Sequence, residues 1–118
     1  YVAYLSKHYS GVVSVKYYDS TAWVYRGSWN AATNSSANIC LAFNGDIPYL
    51  AYKDTSTGNA NVKKFDSTWV FVGDTAGFGV VSDNISFAAY NGLPYIAYSN
   101  YYDYSKVNVK KYNVSMIG

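Results

Sequence analysis

The chain has 118 residues, a length that suits one ordinary domain, and half of them are hydrophobic, which is enough to build a core. The formal net charge is only +2 and the basic residues do not cluster beyond the pairs Lys63-Lys64 and Lys110-Lys111, so the charge pattern excludes the basic patch of a nucleic-acid-binding protein. No apolar run approaches the roughly 18 residues that a membrane helix needs, and we therefore expect no membrane span.

The composition favours strands over helices. The sequence contains 15 Tyr but no Glu, no Gln and only four Leu, whereas Val, Ser, Thr and Asn are plentiful. Strong helix formers are therefore scarce, and we expect an all-β fold. Cys40 is the sole cysteine, which excludes an internal disulfide and a cysteine-based metal site.

The first predicted unit covers residues 1–37 and contains three strands. Alternating and aromatic-rich segments predict strands at residues 1–5, 13–18 and 23–27. A turn rich in Asp, Ser and Thr separates the last two of them, at residues 19–22. This unit lacks the strand that opens each of the later units.

The second unit, residues 38–83, carries a complete set of four strands. They are predicted at residues 38–43, 49–53, 60–65 and 69–73. An Asn-Gly pair after the first strand predicts a tight turn, and a proline precedes the second strand, where its missing N–H is least harmful.

The third unit, residues 84–118, repeats this order. Strands are predicted at residues 84–90, 95–99 and 107–112, with a short fourth strand at 116–118. The opening of this unit is a near-copy of the opening of the second, which begins 46 residues earlier. A repeat of this length indicates stacked supersecondary units.

The repeated motifs resemble the blade repeats of β-propellers. They comprise an Asn-Gly turn, a Pro-Tyr-x-Ala-Tyr strand, a Val-Lys-Lys-aromatic strand and a strand that begins with Trp. The resemblance implies propeller-type, four-stranded antiparallel blades, about 2.5 to 3 of them per chain. A β-sandwich, a β-prism and a β-solenoid are the alternative architectures.

The number of blades predicts a chain that is incomplete on its own. Propellers close with roughly 4 to 8 blades, and an open stack would expose apolar faces and strand edges. We expect the chain to assemble with copies of itself, or to belong to a longer propeller chain. The isolated chain should not be a stable monomer.

Loops at one end of the units are the predicted binding region. Strand direction alternates along the chain. The loops after the strands at residues 1–5, 49–53 and 95–99 should therefore open at the same end as the connections between units. Their aromatic, amide, hydroxyl and carboxylate groups suit a glycan, although contact with protein or simple packing would use the same residues. The candidate ligand-binding residues are His8, Tyr9, Trp29, Asn30, Asp54, Phe78, Tyr101, Tyr102, Asp103 and Tyr104.

Catalysis is not predicted. His8 is the only histidine, and the seven Asp lie mainly in turns, where they usually accept backbone hydrogen bonds. We predict no catalytic residue, no metal site and no cofactor. N-glycosylation acceptor patterns occur at Asn34, Asn84 and Asn113.

The sequence therefore predicts a non-enzymatic, extracellular or cell-surface interaction module. Such a module would assemble with further blades into a ring or filament and present Tyr- and Trp-rich loops for adhesion. The alternative is a lectin-like, carbohydrate-binding propeller. Low charge and the absence of Glu are the basis for the extracellular location.

Overall fold

The protein is described from a computed structural model that covers residues 1–6, 8–72, 81–90, 93–100 and 106–111. Within these residues it contains strands and no helix, which confirms the all-β prediction. The strands are β1 (Val2–Leu5), β2 (Val13–Tyr18), β3 (Trp23–Tyr25), β4 (Ser35–Asn44), β5 (Ile47–Asp54), β6 (Ala60–Asp66), β7 (Thr68–Phe71), β8 (Val81–Tyr90), β9 (Leu93–Asn100) and β10 (Val107–Lys111).

The strands form three antiparallel sheets in which each strand pairs with its neighbour in sequence. The first sheet has the order β1-β2-β3, the middle sheet β4-β5-β6-β7 and the third sheet β8-β9-β10. None of the sheets closes on itself over the described residues. Antiparallel order of this kind follows from the tight turns, because two consecutive strands joined by a short loop can pair only in opposite directions.

The first strands of the middle and third sheets are longer than predicted. β4 begins at Ser35 and β8 at Val81, so the predicted unit boundaries at residues 38 and 84 fall inside strands. Both strands shift register, between Ser35 and Ile39 and between Val81 and Ile85. Residues at an irregular pairing need not alternate between apolar and polar types. The alternation in the sequence therefore gave no signal for the first residues of β4 and β8.

Two predicted strands end differently in the structure. β3 stops at Tyr25, two residues before its predicted end, and β7 stops at Phe71. Gly27 has a φ of +78°, a left-handed conformation that does not continue an extended strand. The predicted short strand at 116–118 lies outside the described residues.

The Asp-containing turn between β2 and β3 is closed by its own side chain. Oδ1 of Asp19 accepts hydrogen bonds from the hydroxyl of Thr21 at 2.7 Å and from the backbone N–H groups of Thr21 and Ala22. These bonds, that of the Thr21 hydroxyl above all, lower the pKa of Asp19. Ser20, at φ +82°, lies between them. The turn role predicted for this Asp is confirmed.

The first core lies between the first and middle sheets. Val13 and Val15 of β2 pack with Leu50 and Tyr52 of β5, all of them buried. The connection between β3 and β4 contributes the buried Ala32. The indole N–H of Trp69 also crosses this contact and donates a 2.7 Å hydrogen bond to the carbonyl of Arg26.

The second core lies between the middle and third sheets. It uses the opposite side of the middle sheet, with Ala51 and Val62 packed against Ile96. The rings of Tyr49 and Phe87 stack with their centres 5.5 Å apart. The middle sheet is therefore covered on both sides, and successive residues along β5 alternate between the two cores, as a pleated strand requires.

Corresponding residues of the repeat occupy corresponding places in the two cores. Leu50 faces the first sheet, and Ile96, its counterpart one repeat later, faces the middle sheet. Val15 faces the middle sheet, and its counterpart Val62 faces the third. At both contacts, the same side of a sheet thus meets the sheet before it and the same opposite side meets the sheet after it. The two contacts are repeats of one arrangement.

A glycine at the first contact provides a sharp test of this packing. A Cβ added to Gly27 would lie 2.7 Å from Cε1 of Phe65, and the φ of +78° strains any other residue. We expect Gly27→Ala to lower the free energy of unfolding by about 2 to 4 kcal/mol, measured by urea denaturation.

The matched control is Gly45→Ala. Gly45, in the β4–β5 turn, has a φ of +61°, but an added Cβ would meet nothing within 4 Å. Only the backbone strain remains, and we expect a loss of about 1 kcal/mol. Equal losses for the two variants would contradict the close approach of Gly27 to Phe65.

Candidate functional site

Three loops meet at one end of the sheets, as the alternating strand directions predict. The rings of Tyr9 and Trp29, from two different loops, lie 4.9 Å apart. The backbone N–H of Thr55 donates a 2.6 Å hydrogen bond to the carbonyl of Asn34. These contacts join the β1–β2 loop, the β5–β6 loop and the connection between β3 and β4 into one surface.

This loop surface contains an aromatic groove of about 470 Å³ beside the first sheet. The hydroxyl of Ser14 donates a 2.6 Å hydrogen bond to the carbonyl of Trp29, which fixes one wall. The ammonium of Lys16 lies 4.7 Å from the centre of the Tyr25 ring, and this contact orients the ring in a second wall of the groove. The residues that line the groove are Tyr4, Ser6, His8, Tyr9, Ser14, Tyr25 and Trp29.

Three of the predicted ligand-binding residues are brought together in this groove: His8, Tyr9 and Trp29. The sequence reasoning missed Tyr4 and Tyr25, which come from strands rather than loops. The strand register places both on the same side of the first sheet, because Val2, two residues before Tyr4, pairs with Lys16, and Lys16 pairs with Tyr25. Aromatic rings beside hydroxyl, imidazole and ammonium groups can hold a flat or polyhydroxylated ligand by stacking and hydrogen bonds.

Two other predicted residues serve their own loops. Oδ1 of Asp54 accepts hydrogen bonds from the backbone N–H of Ser56 at 2.8 Å and from its hydroxyl at 2.6 Å. The side-chain oxygen of Asn30 accepts a 2.7 Å hydrogen bond from the hydroxyl of Ser28. Neither Asn30 nor Asp54 lines the groove. The predicted residues that lie outside the described part of the chain are Phe78, Tyr101, Tyr102, Asp103 and Tyr104.

The predicted glycosylation positions differ in setting. Asn34 is exposed in the connection between β3 and β4, with φ +58°. Asn84 is also exposed, although it lies within β8. Asn113 lies outside the described residues.

In the described part of the chain, no three His, Cys, Asp or Glu side chains come together as a metal site requires. The described residues form no helix of the length and apolar character that crossing a membrane requires.

The outer side of the first sheet is the leading face, which we define by Val2, Tyr4, Lys16, Trp23 and Tyr25. It corresponds to the side by which each later sheet contacts the sheet before it. Leu50 and Ile96, the counterparts of Val2, are fully buried, whereas Val2 is 42% exposed. The leading face therefore displays a surface that is covered at both internal contacts.

The outer side of the third sheet is the trailing face, which we define by Ser86, Ala97, Val107 and Val109. Val15 and Val62, the counterparts of Val109, are 0% and 1% exposed, whereas Val109 itself is 65% exposed. Val107, on the same strand, is 73% exposed. A shallow hollow of about 230 Å³ lies beside Ala97 and Val107.

The two repeated tryptophans illustrate the difference between inner and outer sides. Trp69 is half-buried and bonded to the preceding sheet through its indole N–H. Its counterpart Trp23, on the leading face, is 52% exposed and packs on Tyr18, with ring centres 5.6 Å apart. Trp69 therefore serves the packing between two sheets, whereas Trp23 belongs to a surface.

Comparison of the chain with protein-family models, with curated proteins and with solved structures finds no match. The chain's own repeat and its two outer faces are therefore the basis for a functional proposal.

Proposed function

We propose that the protein is a non-enzymatic interaction module that builds a larger structure by association with further units of its own kind. One observation carries this proposal: residue positions buried at both internal contacts are exposed on the leading and trailing faces. We infer propeller-type blades for these units, so that the larger structure is a ring or a filament of stacked sheets.

The free energy available at these faces is substantial for so small a chain. Covering Val107 and Val109 would contribute roughly 1 to 2 kcal/mol for each side chain, because burial of a whole valine contributes about 1.5 to 3 kcal/mol. Exposed apolar patches usually mark a contact with another protein, and Val107 and Val109 lie exposed on one side of the same strand. The same surface left open would favour uncontrolled aggregation.

The loop surface adjoins the leading face, because Tyr4 and Tyr25 belong to both, and it adds further rings for contacts. The exposed rings of Tyr9 and Trp29, on a rigid scaffold of strands, suit adhesion to another molecule. Composition supports an extracellular or cell-surface location for such a protein, because the sequence has low charge and no Glu.

Sedimentation velocity tests the proposed association. A solution raised from micromolar to millimolar concentration should show a mass that rises above the 13.1 kDa of one chain. Added salt should weaken this association little, because the contact is mainly apolar. A compact monomer throughout the range would refute the proposal.

The aromatic groove favours carbohydrate binding as a second candidate function. Trp29→Ala should then abolish binding on a glycan array, because it removes a ring that lines the groove. Trp23→Ala is the matched control, since Trp23 does not line the groove, and it should bind as the unaltered protein does. Equal binding by both variants, or no binding by the unaltered protein, would exclude this function.

A further inference from the structure

The two internal contacts have a fixed polarity. At each of them, the side of one sheet that holds Leu50 or Ile96 meets the side of the preceding sheet that holds Val15 or Val62. In neither contact do two sides of the same kind meet. Sequence and structure thus encode a directional interface twice within one chain.

We propose, on the basis of the association proposed above, that the leading face of one copy docks on the trailing face of a second copy. The occupant of each face is then the same chain, and the new contact repeats the two internal ones. A contact between different surfaces of identical chains is heterologous, so it propagates until a ring closes or continues as a filament.

The charge on the leading face is compatible with this contact. Lys16 corresponds to Lys63, which is half-buried at the first internal contact, where burial lowers its pKa. The ammonium of Lys63 donates a 3.1 Å hydrogen bond to the carbonyl of Ala31 and lies 4.6 Å from the centre of the Phe71 ring. The interface therefore accommodates a lysine at this position.

Lys16 is already held in the same manner. Its ammonium lies 4.7 Å from the centre of the Tyr25 ring, and Tyr25 is the counterpart of Phe71. The side chain thus makes the same ring contact that its counterpart makes inside the stack, and docking need not break it.

Polarity also disfavours the symmetric alternative. Two leading faces packed about a twofold axis would each bring a Lys16 into the shared contact, and like charges there repel each other. The trailing face contributes Val107, Val109 and Ala97, which are apolar and offer no such conflict to a leading face. Docking of a leading face on a trailing face is therefore favoured over the pairing of two leading faces.

A mixing experiment tests the polarity. Val2→Arg places a second cation on the leading face, and Val109→Arg places a cation on the trailing face. Both positions are exposed, so at a concentration too low for association each variant should melt as the unaltered chain does. Alone, each variant should sediment as a monomer. Mixed in equal amounts, they should form a complex of two chains and no larger species, because one intact leading face and one intact trailing face remain.

Each other outcome has a distinct meaning. If one variant alone still forms dimers, like faces pair and the proposed polarity is wrong. If both variants associate as the unaltered chain does, another surface is responsible and the inference fails although association stands. If the unaltered chain never associates, the proposed function fails first.

Discussion

Replacing Tyr52 by alanine is expected to lower the free energy of unfolding by about 3 to 5 kcal/mol, the usual loss for a large buried aromatic side chain. Tyr52 is 2% exposed and packs between the first and middle sheets with Leu50 and Val15. Burial raises the pKa of its hydroxyl, which also contacts the buried side chain of Asn61. Urea unfolding followed by tryptophan fluorescence measures the loss.

Tyr4→Ala is the control that the repeat itself supplies. Tyr4 is the counterpart of Tyr52 in the Tyr-x-Ala-Tyr segment of the first unit, and it lies on the corresponding side of its strand. That side belongs to the leading face, where Tyr4 is only half-buried. We expect a loss of about 1 kcal/mol or less. If Tyr52→Ala and Tyr4→Ala lower the free energy of unfolding equally, the side of the first sheet that holds Tyr4 is not an outer surface.

Replacing Val62 by aspartate should lower the stability more than Tyr52→Ala does, and should prevent folding at neutral pH. Val62 is 1% exposed within an apolar cluster that includes Ala51 and Ile96, and an ionised carboxylate there would lose its hydration. A loss above about 4 kcal/mol is expected, which few small domains survive. Circular dichroism and urea unfolding at neutral pH report the result.

Val109→Asp is the matched control. A lysine stands two residues further along the strand in both cases, Lys64 and Lys111, so the local charge pattern is the same. Since Val109 is 65% exposed, stability at low concentration should change by less than about 0.5 kcal/mol. Loss of folding in this variant as well would show that the trailing face is not an outer surface.

The sequence predicted the class of fold and the order of the strands well, because alternation and turn residues act locally. The Asn-Gly pair specified the β4–β5 hairpin, and the turn at Asp19 is built by that residue's own carboxylate. The starts of β4 and β8 could not be predicted, since their register shifts depend on pairing with β5 and β9. Propeller geometry remains a prediction.

The candidate site was predicted only in part. Loop position and residue type identified His8, Tyr9 and Trp29, which the structure brings into one groove. Tyr25 was missed because its strand pattern indicated packing rather than a surface. Which copy of a repeated residue is exposed depends on how the sheets stack, and no local pattern distinguishes Val109 from Val62.

Electron microscopy of the concentrated protein tests the central claim most directly, because it shows how the copies meet. We predict a continuous stack in which the third sheet of one copy is followed by the first sheet of the next, at the spacing of about 10 Å that separates packed sheets. Isolated particles of one chain, or copies joined through the loop surface with both outer faces left open, would contradict this account.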